Sequence, residues 1–398
     1  MTPPGMTMPD GDTRPLRIAI LNRFAPPDGA PTAIAAAELA RDLAAALPRA
    51  EIALYASRAS YGAAPVAGPD FPTHRVASLY AGKWPPARLI ASLLEGRALA
   101  SRAAREADLV ISLTDPPLLS LWTAAACRRW NRRWIEWTHD RYPEFFAAAG
   151  LVSERHPLYR LLARRDAGLR PDAVIGLGAG QLAHLAARRG PLPPALILPV
   201  GLTPLPAGPP PFVPPPAPDT PLTLAYAGNL GEAHDPAALA AIVGRADPAR
   251  FRFDFAVSGR HAAGLRRRLD SHPAVRWHER LATADLAAAA AHLVSLSRRA
   301  THLCVPSKAV SAICLGRPLL FAGSAEADIW RDLGAAGWLI AERPDGTFSP
   351  AAIDAALAAL ADPAERERRA AAARGLATAL HRRRAEAVAA LAAIITAL

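Results

Sequence analysis

Leu222-Thr223-Leu224-Ala225-Tyr226-Ala227-Gly228-Asn229-Leu230-Gly231-Glu232 is the stretch that decides the fold. It reads as a buried strand over Leu222–Tyr226, a Gly-rich turn, and then a helix from Pro236. The chain has already made this move once. Arg17-Ile18-Ala19-Ile20-Leu21 is a short apolar strand, followed by a Pro/Gly-rich loop from Phe24 to Pro31 and an amphipathic helix through about Leu47. Between the two starts, Pro199 to Pro221 carries a proline every two or three residues and reads as an extended linker. A strand–helix alternation that runs, stops at a linker and restarts predicts an α/β protein of two doubly wound domains facing a cleft.

Outward from that stretch the remaining elements fall into place. Strands are expected at Ile52–Tyr55, Leu109–Leu113, Trp134–Trp137, Ala173–Ile175 and Ala195–Leu198, with helices at Leu158–Leu169 and Gln181–Arg189. After the linker, strands at Phe251–Val257, Val275–His278 and Leu293–Leu296 lead to Pro318–Phe321, and residues 350–398 read as almost all helix. The expected division is a disordered tail over 1–15, a first Rossmann-like domain over 16–200, a linker over 201–221 and a second Rossmann-like domain with terminal helices over 222–398. At 398 residues, two domains are also what chain length favours.

With 51% hydrophobic and 20% charged residues the chain is globular and not disordered. A formal charge of +11 favours anionic partners: phosphorylated small molecules, acidic lipid or nucleic acid. Zinc-finger spacing and RNA-recognition aromatics do not occur, so nucleic acid is not expected. Cys127, Cys304 and Cys314 are too scattered for a disulfide framework, which fits a reducing compartment. Met1 to Pro15 lacks an apolar core and is not expected to be a signal peptide; the apolar run near the C-terminus is too short to span a bilayer.

Of 46 basic residues only Lys83 and Lys308 are lysines. Lys308 lies in Val305-Pro306-Ser307-Lys308, ahead of a helix to Leu315, a stop at Gly316 and the strand from Pro318. A lysine in a first helical turn adds a compact ammonium to free backbone N–H groups and the positive dipole end, which suits a phosphate. The plain alternative is a solvated surface lysine. Asp28 and Gly29 lie in the loop after the first strand, where doubly wound sheets take ligands. The stretch from Lys83 to Arg105, with Trp84 at its head, shows an apolar face of Leu89, Ile90, Leu93 and Leu94 among arginines, with Arg97 on that face and Leu99 off it. With the Arg128–Trp134 run it suits either an anionic membrane surface or an ordinary packed helix with snorkelling arginines. Thr138-His139-Asp140-Arg141-Tyr142-Pro143-Glu144 crowds polar groups onto the end of a strand, a place for chemistry.

Taken together, four pieces resemble a glycosyltransferase of GT-B fold, in the family-4 group that builds bacterial surface polysaccharides. They are Asn22 to Ala30 leading into Ala37–Leu43, the "D-x-x-P-E" of Asp140–Glu144 as in the capsule and colanic-acid-type branch, the "Y-x-G-N-x-G" of Tyr226–Gly231, and "P-S-K…G-x-P" at Pro306-Ser307-Lys308 and Gly316-Arg317-Pro318. The resemblance spans about residues 17–345. It implies a retaining, metal-independent hexosyltransferase-like enzyme without a cofactor. Its co-substrate is a nucleotide-sugar held by the second domain, and its acceptor, lipid-linked or glycan, is held by the first. The expected setting is cytoplasmic, peripheral at the inner membrane face.

A departing nucleoside diphosphate gains charge, so cations and N–H donors around it lower the barrier. Lys308 fits that role, with Pro306 and Ser307 in its loop, Arg298 or Arg299 as a second cation, and the turn Gly228-Asn229-Leu230 offering backbone N–H groups. Ser258, Gly259 and Arg260 would line the base end, and Asp140 or His139 would orient the acceptor hydroxyl or the sugar. Asp140 equally suits a turn cap, and His234 and His278 read as structural. Two glutamates common in the family are replaced by Leu303 and Ser311, and its usual arginine and lysine by Asn229 and His234 or Asp235. Those departures keep open a non-catalytic scaffold that retains the fold; a GT-B sugar-nucleotide epimerase is a third possibility.

Overall fold

Short aliphatic runs alternate with alanine-rich stretches, and the chain folds accordingly. The computed structural model describes residues 14–58, 66–68, 70–78, 85–203 and 220–398, and only the backbone of residues 85, 86, 88 and 89. In chain order come β1 (Arg17–Leu21), α1 (Pro31–Ala46), β2 (Glu51–Ser57), β3 (Thr73–Val76), α2 (Pro85–Glu106), β4 (Leu109–Ser112), α3 (Leu119–Trp130), β5 (Arg133–Trp137), α4 (Glu144–Ala148), α5 (Pro157–Ala167), β6 (Ala173–Gly176), α6 (Ala179–Arg189) and β7 (Ala195–Ile197). The alternation then restarts with β8 (Leu222–Asn229), α7 (Pro236–Arg245), β9 (Phe251–Ser258), α8 (Ala262–Leu269), β10 (Val275–Trp277), α9 (Thr283–Ala288), β11 (Ala291–Ser295), α10 (Ser307–Cys314), β12 (Leu319–Gly323), α11 (Asp328–Leu333), β13 (Gly337–Ala341), α12 (Pro350–Ala361) and α13 (Pro363–Ala397). Helix starts follow local chemistry: Asp235 and Asp362 accept backbone N–H bonds of the first turn, each with proline next.

The strands form two sheets, ordered β3-β2-β1-β4-β5-β6-β7 and β10-β9-β8-β11-β12-β13. In the second every pairing is parallel, and in both the order reverses direction beside the first strand of the array, as in doubly wound sheets. Alternating side chains explain why helices cover both faces of the second sheet. Leu293 and Leu320 join Phe253, Phe255, Leu239 and Leu357 in one core, whereas Val294 and Phe321 join Val310, Ile313, Ala377 and Leu380 in another. The C-terminal helices are thus part of the core of the second array.

By compactness the chain divides into two units, Met1–Ile135 and Glu136–Leu398, with β5 at the boundary. The second unit is knit by bonds from its first segment to its last. Asp328 accepts N–H bonds from Gly180 (2.6 Å) and Gln181 (2.8 Å) at the start of α6. A Cβ on Gly178 or Gly180 would collide with that carboxylate. Arg141 N–H meets the Leu303 carbonyl (2.9 Å), and Arg384 and His381 reach the carbonyls of Pro199 and Thr203. Most of the expected linker, residues 204–219, the tail to residue 13, and Lys83 and Trp84 lie outside the described residues.

Three expectations change. Strands β3 and β13 were not foreseen, the first because Thr73-His74-Arg75-Val76 carries no apolar run, being half-buried throughout. β8 runs on through Gly228 and Asn229, which pair with Val257 and Ser258 where a turn was expected. On α2 the buried face is Ala91, Glu95, Leu99, Ala100, Ala103 and Ala104, while Ile90 is 58% and Leu94 48% exposed. Leu99 therefore lies on the core face and Arg97 off it, because small alanines, and not Ile90 and Leu94, carry the contact.

Candidate functional site

Lys308 sits in the first turn of α10, the helix that follows β11, and its amine turns back to the carboxyl end of β8. β8 and β11 are the neighbours between which the second sheet reverses its order, the usual ligand position in such folds. Lys308 Nζ is 2.6 Å from Tyr226 Oη, 3.0 Å from the Asn229 carbonyl oxygen and 3.1 Å from His234 Nε2, and it stands 4.2 Å from the centre of the Tyr226 ring. All three partners are neutral, and among the described residues no carboxylate bonds to this amine. Burial pushes its pKa down from 10.5 to about 7. Gly228 keeps the approach open: a Cβ there would meet only Lys308 Cε, at 3.8 Å.

His234 was read as structural, yet it touches the key amine. Its Nδ1 lies 2.6 Å from the Ser295 carbonyl, and burial pushes its pKa down to about 3, with the Lys308 charge adding to the effect. Tyr226 is 1% exposed, and burial raises its phenol well above the ordinary value. The signal for both was available in the restart motif, where the tyrosine of a "Y-x-G-N" strand end and a histidine five residues past the asparagine share one strand terminus.

The other donor-side residues are placed unevenly. Gly259 has φ +95°, and a Cβ on it would lie 1.8 Å from Asn229 Oδ1, so the glycine makes room for that amide. Ser258 is exposed and its carbonyl accepts the Leu230 N–H (2.7 Å), which removes that N–H from the set expected to cradle phosphate. Arg260 is paired with Glu232, which also faces His261 at 3.4 Å. Arg298 and Arg299 are exposed in a 3-10 turn whose first N–H is held by Glu342 at 2.8 Å. Pro306 caps α10 and Ser307 opens it. Ser311 donates its hydroxyl to the Gly201 carbonyl at 2.7 Å, fastening α10 to the end of the first array.

Asp140 and His139 follow β5. Gln181 braces this loop, accepting from Thr138 Oγ1 (3.1 Å) and donating to the His139 carbonyl (3.2 Å). The His139 ring is buried against Trp137 with centroids 4.5 Å apart, and burial pushes its pKa down to about 3. Burial raises the Asp140 carboxyl to about 6, a useful value for moving a proton near neutrality. Next to these residues, Arg141 and Arg189 are buried among Glu136, Glu144 and Asp166, which fixes the loop from below. Cys304 joins the two halves of the site electrostatically. Burial pushes its thiol well up, the Asp140 charge adds to that and the Lys308 charge opposes it. Asp140, Cys304 and Lys308 therefore share one neighbourhood, which Cys304's position two residues before Pro306 hinted at.

In the first unit Asp28 accepts the Ala30 N–H at 2.9 Å, closing the turn ahead of α1, with Gly29 inside it. Arg75 holds the same loop through the carbonyls of Ala25 and Pro26. The Asp28 carboxylate thus has a turn-forming task.

Two doubly wound sheets in series, with C-terminal helices packed on the second, define the GT-B fold. Over 96% of its length the chain is similar to sucrose-phosphate synthase from Thermosynechococcus elongatus, with TM-score 0.70, 15% identity and 98% of that chain covered. It is similar over 96% to WaaG, a glycosyltransferase involved in lipopolysaccharide biosynthesis, at TM-score 0.67 and 17% identity with 100% of that chain covered. The same share matches HepE from Anabaena in complex with UDP and glucose, at TM-score 0.64 and 16% identity, again over 100% of that chain. At these identities the likeness is one of fold. No family model matches the chain, and no curated protein matches it.

Proposed function

We propose that the chain is a glycosyltransferase that moves a sugar from a nucleoside-diphosphate sugar to a lipid-linked or glycan acceptor in cell-surface polysaccharide synthesis, retaining and metal-independent, in the family-4, colanic-acid-type branch. The observation that carries the reading is the amine of Lys308 at the switch point of the second sheet, bonded only to neutral partners among the described residues and open on the Gly228 side. Such an amine lacks a counter-charge until an anion arrives, and a diphosphate supplies one. HepE, a neighbour in fold, is described with UDP and glucose. Residues 222–398 are assigned the donor and residues 16–200 the acceptor, with Asp140 at pKa about 6 orienting or deprotonating the acceptor hydroxyl. Exposed Ile90, Leu94 and Trp130 with exposed Arg97, Arg128 and Arg129 support a peripheral position on an anionic bilayer.

Purified protein screened against nucleotide-sugars tests this reading. A true donor at roughly 100 times its Kd adds about 2.7 kcal/mol of stability. Lys308→Ala should stay folded and lose about a hundredfold to a thousandfold in turnover, the range for removing one charge-stabilising donor; full activity in that variant would remove Lys308 from the mechanism. A scaffold that binds without catalysis is the second reading, favoured by Ser311, whose hydroxyl serves Gly201 where the family resemblance calls for a glutamate. Transfer or donor hydrolysis by the purified protein excludes it.

A further inference from the structure

Leu151, Leu158 and Leu161 are 57%, 52% and 49% exposed, three of the four highest values for large apolar side chains among the described residues. They lie on α5 and the segment just ahead of it, with Arg155, Arg160, Arg164 and Arg165, all exposed. Among the described residues none of these arginines pairs with a carboxylate, and Glu154 is the only acid between Leu151 and Arg165. Leu158, Leu161 and Arg165 are three and four residues apart and share one stripe of the helix, with Arg160 and Arg164 beside it. The opposite side is already committed. Tyr159 and Asp166 are buried, and Asp166 accepts from Arg141 at 2.8 Å and from Arg189 at 2.6 Å. Arg188 joins the Tyr159 hydroxyl (3.4 Å) to Glu144 (3.2 Å). α5 is thus strapped to the residue next to Asp140, and its leucines cannot turn inward. The Leu151 N–H meets the Phe146 carbonyl at 2.9 Å, and the half-buried rings of Phe146 and Tyr142 lie 4.8 Å apart, so exposed apolar surface reaches to within two residues of Asp140.

We propose that the outer face of α5, with Leu151, rests on an anionic bilayer, its leucines at the acyl boundary and its arginines at the phosphates, and so holds the Asp140 loop at headgroup level. The proposal rests on the glycosyltransferase reading and narrows its acceptor from lipid-linked or glycan to lipid-linked, since that is the level at which a lipid carries its sugar. Charge complementarity chooses the occupant. A second copy of the chain would set the same four arginines against each other, on molecules that each carry a formal charge of +11. A neutral apolar partner would strip water from the arginines and return no counter-charge. An anionic bilayer answers both groups at once: long arginine stems keep their guanidinium groups among the phosphates while the leucines sink below them. With the exposed face of α2 this makes two contacts, and loss of either should release the protein, because a single weak contact binds only marginally.

Cys127, Cys304 and Cys314 are buried, so Leu161→Cys supplies one accessible thiol for a polarity-sensitive dye. On vesicles of phosphatidylcholine mixed with phosphatidylglycerol, the dye's emission should shift to the blue and be quenched by spin-labelled acyl chains. Neither change should occur on phosphatidylcholine alone, nor with the dye at Ser271→Cys, an exposed residue after α8. Arg160→Gln with Arg164→Gln and Arg165→Gln should weaken binding to the anionic vesicles about a hundredfold, the combined effect of three arginines at such a surface. Leu158→Asp with Leu161→Asp should weaken it at least as much. Vesicle binding that leaves the dye at position 161 in water overturns the proposal and leaves the peripheral reading to α2 and α3. So does an arginine variant, folded by circular dichroism, that binds as tightly as the wild type. Absence of binding to the anionic vesicles overturns both the α5 contact and the peripheral reading. Stabilisation by a nucleotide-sugar is measured without vesicles, so a failure of the transferase reading shows there and not in the dye.

Discussion

Mild acid should unfold this protein by protonating histidines that the fold keeps neutral. Burial pushes His139 and His234 down to about 3 and His292 to about 4, against an ordinary 6.5. Between these limits the unfolded chain holds a proton on each that the folded chain refuses, so stability present above pH 6.5 is lost as pH falls toward 4. Asp140, raised to about 6, works the other way, since its folded carboxyl takes a proton before the unfolded one does; Asp332 and Glu342, both raised by burial, add to that offset. Three protons against one leaves at most about two near pH 5, or about 3 kcal/mol per pH unit. Lys308 does not enter, being charged in both states there. A fall of that slope over one to two units removes a large share of the 5–15 kcal/mol typical of a folded chain. Urea unfolding at intervals from pH 7 to 4.5 measures it directly. His292→Gln, whose amide can still donate to the Leu286 carbonyl now 2.9 Å from Nε2, should flatten the slope by about one proton, roughly 1.4 kcal/mol per unit. A flat profile from pH 7 to 5, or a slope that His292→Gln leaves unchanged, would refute the reasoning.

Two further predictions concern the faces of the molecule. Gly259→Ala places a methyl where Asn229 Oδ1 now lies and forces an L-residue to φ +95°, so it should cost about 1–2 kcal/mol and weaken UDP binding by moving Asn229, read by thermal unfolding and calorimetry. Sedimentation with liposomes should show binding that needs anionic lipid and weakens with salt, and Ile90→Asp with Leu94→Asp should abolish it; binding that ignores lipid charge and salt would sink the electrostatic account.

The fold was legible because it rests on the coarsest signal in the chain, the period of its apolar residues. Ile18–Leu21 announced a parallel strand as a continuous apolar run, as a strand covered on both faces must, and Leu222–Tyr226 and Phe251–Val257 announced theirs by apolar residues at every second position. Thr73–Val76 was invisible for the same reason in reverse, since a half-buried strand has no such run. The site was legible only in part. Lys308 and Asp140 could be found from residue type at strand and helix ends, but what each touches depends on side chains brought together across tens of residues. Ser311 illustrates the limit: its place in the motif suggested a ligand, and its hydroxyl meets a backbone carbonyl instead. His234 shows the converse. Its place five residues past Asn229 was a signal, but what its two nitrogens touch, the Ser295 carbonyl and the Lys308 amine, is visible only in the fold.

The same logic explains why a chain with only two lysines has one at position 308. An arginine there would carry a fixed charge, because guanidinium does not lose its proton near neutrality. It would also present a broad fork where three acceptors converge on a point, at 2.6, 3.0 and 3.1 Å. Lys308→Arg should therefore still attract a diphosphate, but with an affinity that no longer falls between pH 7 and 9, where an amine with its pKa pushed down to about 7 loses its charge. Titration of UDP by calorimetry in buffers of different ionisation enthalpy reads the coupled proton: uptake in the wild type, none in the variant. An arginine variant whose affinity keeps the wild-type pH dependence would place the titrating group elsewhere, with Asp140 the next to examine, since its pKa of about 6 lies on the same side of neutrality.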